Sequence, residues 1–90
     1  MLDYDITGPF KKDRKLMQKR NRDIKKLREV MALLIKEQPL SPKHENHPLH
    51  GKDKGKWECH VEPNWVLVYR IDDENRKVVF YRTGSHADLF

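Results

Sequence analysis

The stretch that decides the fold is residues 57–90. It opens with Trp57-Glu58-Cys59-His60-Val61-Glu62-Pro63-Asn64-Trp65 and Val66-Leu67-Val68-Tyr69-Arg70-Ile71. It continues through Asp72-Asp73-Glu74-Asn75-Arg76-Lys77 into Val78-Val79-Phe80-Tyr81-Arg82-Thr83-Gly84-Ser85-His86-Ala87-Asp88-Leu89-Phe90. Two runs rich in Val, Ile, Tyr and Phe flank one charged turn, which is the pattern of a β-hairpin. Polar groups suited to RNA gather where the runs end: His60, Asn64, Arg82, Ser85 and His86. Strands give a rigid base, and their ends give reach.

Working outward, residues 43–56 form a polar stretch that holds His44, His47 and His50 and reads as a long loop. Loops of this length are often functional or mobile. Before it, Gln38-Pro39-Leu40-Ser41-Pro42 closes a helix, because proline lacks an amide hydrogen and restricts its predecessor. That helix is the clearest in the chain: Ile24, Leu27, Val30, Met31, Leu34 and Ile35 recur at i, i+3, i+4, i+7. Either Asn21 or Asp23 caps it. An earlier helix carries Phe10, Leu16, Met17 and the stem of Arg20 on its apolar side, with Thr7 as cap and Pro9 in its first turn. Leu2 to Ile6 alternates as a short strand. The order is strand, helix, helix, then three strands. This predicts one α+β domain over residues 1–90, with two N-terminal helices on one face of a small antiparallel sheet.

Ninety residues fit one domain with a modest core. The single cysteine, Cys59, forms no internal disulfide and suits a reducing compartment. No apolar run approaches the ~20 residues of a membrane span and no signal peptide is evident, so a cytoplasmic protein with no membrane partner is expected. Charge is uneven. Residues 11–36 hold eleven Lys or Arg against Asp13, Asp23 and Glu29, a balance of +8. Within a total of +5 the remainder sums to −3. A basic helical pair that includes Lys25, Lys26 and Arg28 points to an anionic partner, RNA or an acidic protein, or else to a solvated surface.

Two chemistries compete for the histidines. His44, His47 and His50 with Cys59 and His60 offer zinc ligands, but Pro48 breaks helical spacing and there is no Cys-x-x-Cys pair. Cys59 reads as a spectator thiol. His60, Arg82 and His86 instead suit cleavage of RNA by its own 2′-hydroxyl. A base takes the hydroxyl proton, a guanidinium steadies the phosphate, and an acid protonates the leaving oxygen. That chemistry needs no metal and no cofactor.

The residues also carry a family resemblance. Asn46-His47-Pro48-Leu49, Gly51, Gly55, the run from His60 to Tyr69, and Arg82 to Phe90 resemble the YafQ branch of the RelE-like toxins. Phe10-Lys11-Lys12-Asp13 and the helical pair extend the similarity over nearly the whole chain. The resemblance implies a ribosome-dependent endoribonuclease that cuts mRNA in the A site. It also implies a cognate antitoxin that holds the toxin in a hetero-oligomeric complex. Carried over position by position, it implies a site of His47, His60, Trp65, Arg82, His86 and Phe90. His86 would transfer a proton and Arg82 would clamp the phosphate. His47 and His60 would position RNA or share the proton work, and Trp65 and Phe90 would stack on bases. Asn64 stands where the family commonly has Asp, so a carboxylate is missing there. The competing functional class is a non-catalytic basic module that binds RNA or an antitoxin.

Overall fold

The computed structural model describes residues 1–90. Strand β1 (Asp3–Ile6) leads into α1 (Gly8–Lys19) and α2 (Ile24–Ile35). Then come β2 (His47–Pro48), β3 (Trp57–Glu62), β4 (Trp65–Asp72), β5 (Lys77–Gly84) and a closing turn of helix, α3 (His86–Leu89). The sheet order is β1-β5-β4-β3-β2. All pairs are antiparallel except β1 with β5, which run parallel. The α+β layout of two helices on a small sheet is therefore as expected, with a mixed edge.

Local chemistry explains the helix starts. Thr7 Oγ1 accepts from Phe10 N at 3.1 Å, and Pro9 occupies the first turn of α1. Asp23, not Asn21, caps α2, accepting from Lys25 N at 3.1 Å. Asn21 instead takes the left-handed link between the helices, with φ 59. One core joins Phe10 and Met17 of α1 and Leu27, Val30 and Leu34 of α2 to Cys59, Trp65, Leu67, Tyr69, Val78 and Phe80 of the sheet. Because strand side chains alternate, Glu58, His60, Val66 and Val68 lie on the other face.

Several expectations change. On α1 the inward stripe is Phe10, Asp13 and Met17, while Leu16 is exposed. Asp13 can be buried because three donors meet its carboxylate: Arg82 Nε at 2.6 Å, Arg82 Nη2 at 3.1 Å and Thr83 N at 3.1 Å. Residues 43–56 are not a free loop. The 3₁₀ turns Pro42–His44 and Gly51–Asp53 flank β2, and β2 pairs with β3 through His47↔Glu58 and Pro48↔Trp57.

The last strand stops at Gly84 rather than running to the chain end. Ser85 starts α3 with a capping box: Asp88 N donates to Ser85 Oγ at 3.1 Å and Ser85 N donates to Asp88 Oδ2 at 2.9 Å. Arg20, expected on the apolar side of α1, is exposed and grips Asp88 through two bonds of 2.7 and 3.1 Å. The chain end is thus tied to α1. The Arg20 guanidinium, with the Ser85 amide, holds the Asp88 carboxyl well below the usual carboxylate range. A depressed carboxyl stabilises above its unfolded value of about 3.9 and loses that contribution as pH falls toward its folded value. Arg20→Ala is expected to move the Asp88 titration up toward ~3.9 in a carbon-detected NMR titration. An unmoved curve would mean that Arg20 does not hold α3.

Candidate active site

The site is built on the sheet face away from α1 and α2. Alternation on β3 puts Glu58 and His60 on that face and Cys59 and Val61 in the core. Strand pairing then lays out two rows, Glu58–Val68–Arg82 and His60–Val66–Gly84. The short β2 brings His47 beside Glu58, and α3 brings His86 over it.

Glu58 is the hub. It is 3% exposed, and its Oε1 accepts from His86 Nε2 at 2.8 Å. His47 Nε2 and His60 Nε2 stand 3.7 and 3.8 Å from the same oxygen. A carbonyl oxygen only accepts, so its partner nitrogen must carry the proton. His47 Nδ1 donates to Glu45 O at 2.7 Å and His60 Nδ1 donates to Pro63 O at 3.2 Å. Each neutral ring therefore presents a bare Nε2 toward the cluster. His86 is the reverse: Nε2–H faces Glu58, and Nδ1 is the basic atom. The set thus offers proton acceptors and, once an imidazole is charged, proton donors within a few ångströms.

Arg82 comes to this face through a bulge. Tyr69 pairs with Phe80 and Val68 with Arg82, so Tyr81 is the extra residue. The arginine is not the free clamp expected of it. Its Nε and Nη2 bind Asp13, which also raises its already high pKa, so the guanidinium stays charged and Nη1 is the nitrogen left for a phosphate. Phe90 is 61% exposed, and its ring centroid lies 5.8 Å from that of His86.

The other candidates sit elsewhere. Trp65 does not face RNA: it is fully buried, and Nε1 donates to Thr83 Oγ1 at 2.8 Å. An indole at the centre of a core cannot stack on a base. Asn64 is exposed in the β3–β4 turn. Lys25, Lys26 and Arg28 lie on α2, across the sheet from the histidines, and Lys26 Nζ already stands 3.5 Å from Glu62. They are therefore not part of the histidine site. His44 is buried, with Nδ1 donating to His60 O at 2.7 Å, which removes it from a loop metal set. Burial pushes the Cys59 thiol up to about 12, as fits a spectator. The three groups whose donor atoms do converge, within 4.8 Å, are Glu58, His60 and His86.

The family model described as "Bacterial toxin of type II toxin-antitoxin system, YafQ" matches residues 2–90. The chain is 45% identical to an Escherichia coli protein named mRNA interferase toxin YafQ, over 98% of this chain and 95% of that one. It superposes on the toxin in a crystal structure of the E. coli DinJ–YafQ toxin–antitoxin complex with TM-score 0.90 and 44% identity, covering 99% and 97% of the two chains. A metal-bound toxin from Helicobacter pylori gives TM-score 0.94 and 41% identity over the whole of both chains. The chain belongs to the YafQ family of type II toxin–antitoxin toxins.

Proposed function

We propose that this toxin is a ribosome-dependent mRNA interferase that cleaves RNA by metal-independent acid–base catalysis. The observation that carries the reading is the buried Glu58 carboxylate with three imidazole nitrogens within 3.8 Å of one oxygen. The 2′-hydroxyl of one nucleotide attacks its own 3′-phosphate, forming the P–O2′ bond and breaking P–O5′. The products are a 2′,3′-cyclic phosphate and a 5′-hydroxyl end. A bare Nε2 accepts the 2′-hydroxyl proton. His47 is the more accessible choice, its side chain being 49% exposed against 14% for His60. Protonated His86 delivers a proton to the leaving O5′. Arg82 Nη1 faces the crowded phosphate, and Phe90 stacks on a base.

The E. coli relative is seen with an antitoxin, and we assign this chain a cognate antitoxin of its own. No helix is long and apolar enough to cross a membrane. The site of action is the cytoplasm, where translating ribosomes are.

Primer extension across a translated mRNA tests the reading. Cuts with 5′-hydroxyl ends are expected, undiminished when the toxin has been stripped with EDTA and dialysed before it meets the ribosomes. No cleavage on translating ribosomes would leave a binding module in place of an enzyme. The metal-bound H. pylori relative motivates a second reading. One carboxylate and two imidazoles fit a zinc- or copper-type ion, which Glu58, His60 and His86 would hold. Bound there, an ion supplies fixed positive charge while occupying imidazole lone pairs. A toxin stripped of metal beforehand that cuts only after zinc is added back would favour it.

Two further outcomes bear on the proposal. Asn64→Asp is expected to raise the cleavage rate if a carboxylate at the turn assists proton transfer; an unchanged rate means the histidine cluster suffices. Reversal of Lys25, Lys26 and Arg28 to Glu is expected to weaken ribosome binding. It should also flatten the plot of log K against log salt by roughly 0.7–0.9 for each phosphate no longer neutralised. Lys26 should count least, because Glu62 already pairs with it. Identical salt slopes would reduce these charges to solubility.

A further inference from the structure

Beside the histidine cluster lies a hollow of about 680 Å³, with Lys52, Lys56, Val68, Tyr81, Arg82 and Phe90 among its walls. We infer that it is a nucleotide subsite that receives a base of the mRNA next to the scissile phosphate. This rests on the ribonuclease reading above and adds residues to it.

Three observations carry the inference. The first is the bulge in β5. In a regular strand Tyr81 and Arg82 would point to opposite faces; the extra residue lets both line one hollow. The second is position. Val68, in the wall, is the strand neighbour of both Glu58 and Arg82, so the wall of the hollow stands one strand spacing, ~4.8 Å, from the Glu58 backbone. Phe90 is shared, since it lines the hollow and sits 5.8 Å from the His86 ring. A strand of RNA with its phosphate at His86 therefore has the hollow within a nucleotide's length.

The third observation is chemical. Lys56 Nζ lies 4.5 Å from the Tyr81 ring centroid and 3.6 Å from Asp53 Oδ1, so the tyrosine already holds a cation on its face. Two aromatic rings stand with three cations around a small apolar wall; Asp53, also in the wall, holds Lys56 and Asp13 holds Arg82, which leaves Lys52 the unpaired cation in a lining of the kind that binds single-stranded nucleic acid. Bases stack on the rings and cations take the phosphates. An acidic antitoxin segment would use the cations but has less use for two flat rings beside a proton-transfer residue.

The experiment uses the full chain on translating ribosomes. Tyr81→Leu is expected to lower kcat/KM roughly 5- to 100-fold, the range of one base stack, and to shift the distribution of cut positions. Lys56→Gln, a surface change with little folding risk, should raise KM with kcat nearly kept. Antitoxin neutralisation should be unaffected in both. Adenosine 5′-monophosphate added to the wild type should shift the NMR signals of Tyr81 and Phe90. Unaltered kcat/KM and cut positions in both variants would overturn the subsite while leaving the ribonuclease standing. So would loss of antitoxin neutralisation with cleavage intact, which would make the hollow an antitoxin seat. A wild type that does not cut counts against the ribonuclease reading instead; the nucleotide titration then decides the hollow, and unmoved Tyr81 and Phe90 signals overturn it.

Discussion

His86→Ala is expected to lower cleavage of ribosome-bound mRNA by ~10²–10⁴, the usual contribution of a positioned proton-transfer group. His86 is the one imidazole in direct hydrogen-bond contact with Glu58, at 2.8 Å, while its ring remains half exposed to a substrate. Removing it takes away the proton donor and leaves Glu58 without its hydrogen-bond partner. The fold should survive, because α3 is held by Arg20, Asp88 and Ser85 rather than by His86. Antitoxin binding should therefore match the parent, and stability should fall by no more than the ~1–3 kcal/mol of an unpartnered buried acceptor, too little to unfold the domain. Glu58→Gln is the companion: it keeps the shape and removes the charge that fixes the ring. Buried Glu58 is out of a substrate's reach, so kcat should fall while KM holds. A parental rate for His86→Ala would transfer the proton role to His60 or His47.

The same cluster shows what a sequence can and cannot disclose. His60, Arg82 and His86 stand out by residue type and His47 through the family resemblance, and strand periodicity places β3 and β5, which carry His60 and Arg82. Glu58 was missed, although its signal was present: it is two residues from His60 in a strand, and hence on the same face. What hid it was composition, since one glutamate among the chain's acids looks like surface until the strand is seen to be covered. Asp13 was missed for the related reason that Leu16 is the more apolar choice at that turn. Only the distant Arg82 and Thr83 amide make burial of the acid favourable. The bulge at Tyr81 and the tie from Arg20 to Asp88 depend on contacts across the chain that no local pattern encodes. Ser85 and Asp88, by contrast, have capping-box spacing and could have been read as a helix start.

Trp65→Ala is expected to destabilise the protein by ~3–5 kcal/mol, the usual cost of emptying an aromatic site in a core. The indole is fully buried between the helices and β5. Its loss also breaks a buried chain of hydrogen bonds: Trp65 Nε1 donates to Thr83 Oγ1, which donates to Val66 O at 2.9 Å. Domains of this size hold only ~5–15 kcal/mol in total. With ~4–8 °C of Tm per kcal/mol at 60–100 residues, the midpoint should fall by at least ~12 °C. Growth arrest would then be lost through unfolding, and antitoxin binding would fail with it. This separates Trp65 from His86, whose replacement silences chemistry in a folded protein. Trp65→Phe, which keeps most of the apolar volume but not the N–H, should lie between the parent and Trp65→Ala in stability. It should cleave at the parental rate below its own midpoint. A Trp65→Ala protein with parental Tm and no cleavage would return the indole to the RNA and contradict the packing of β4.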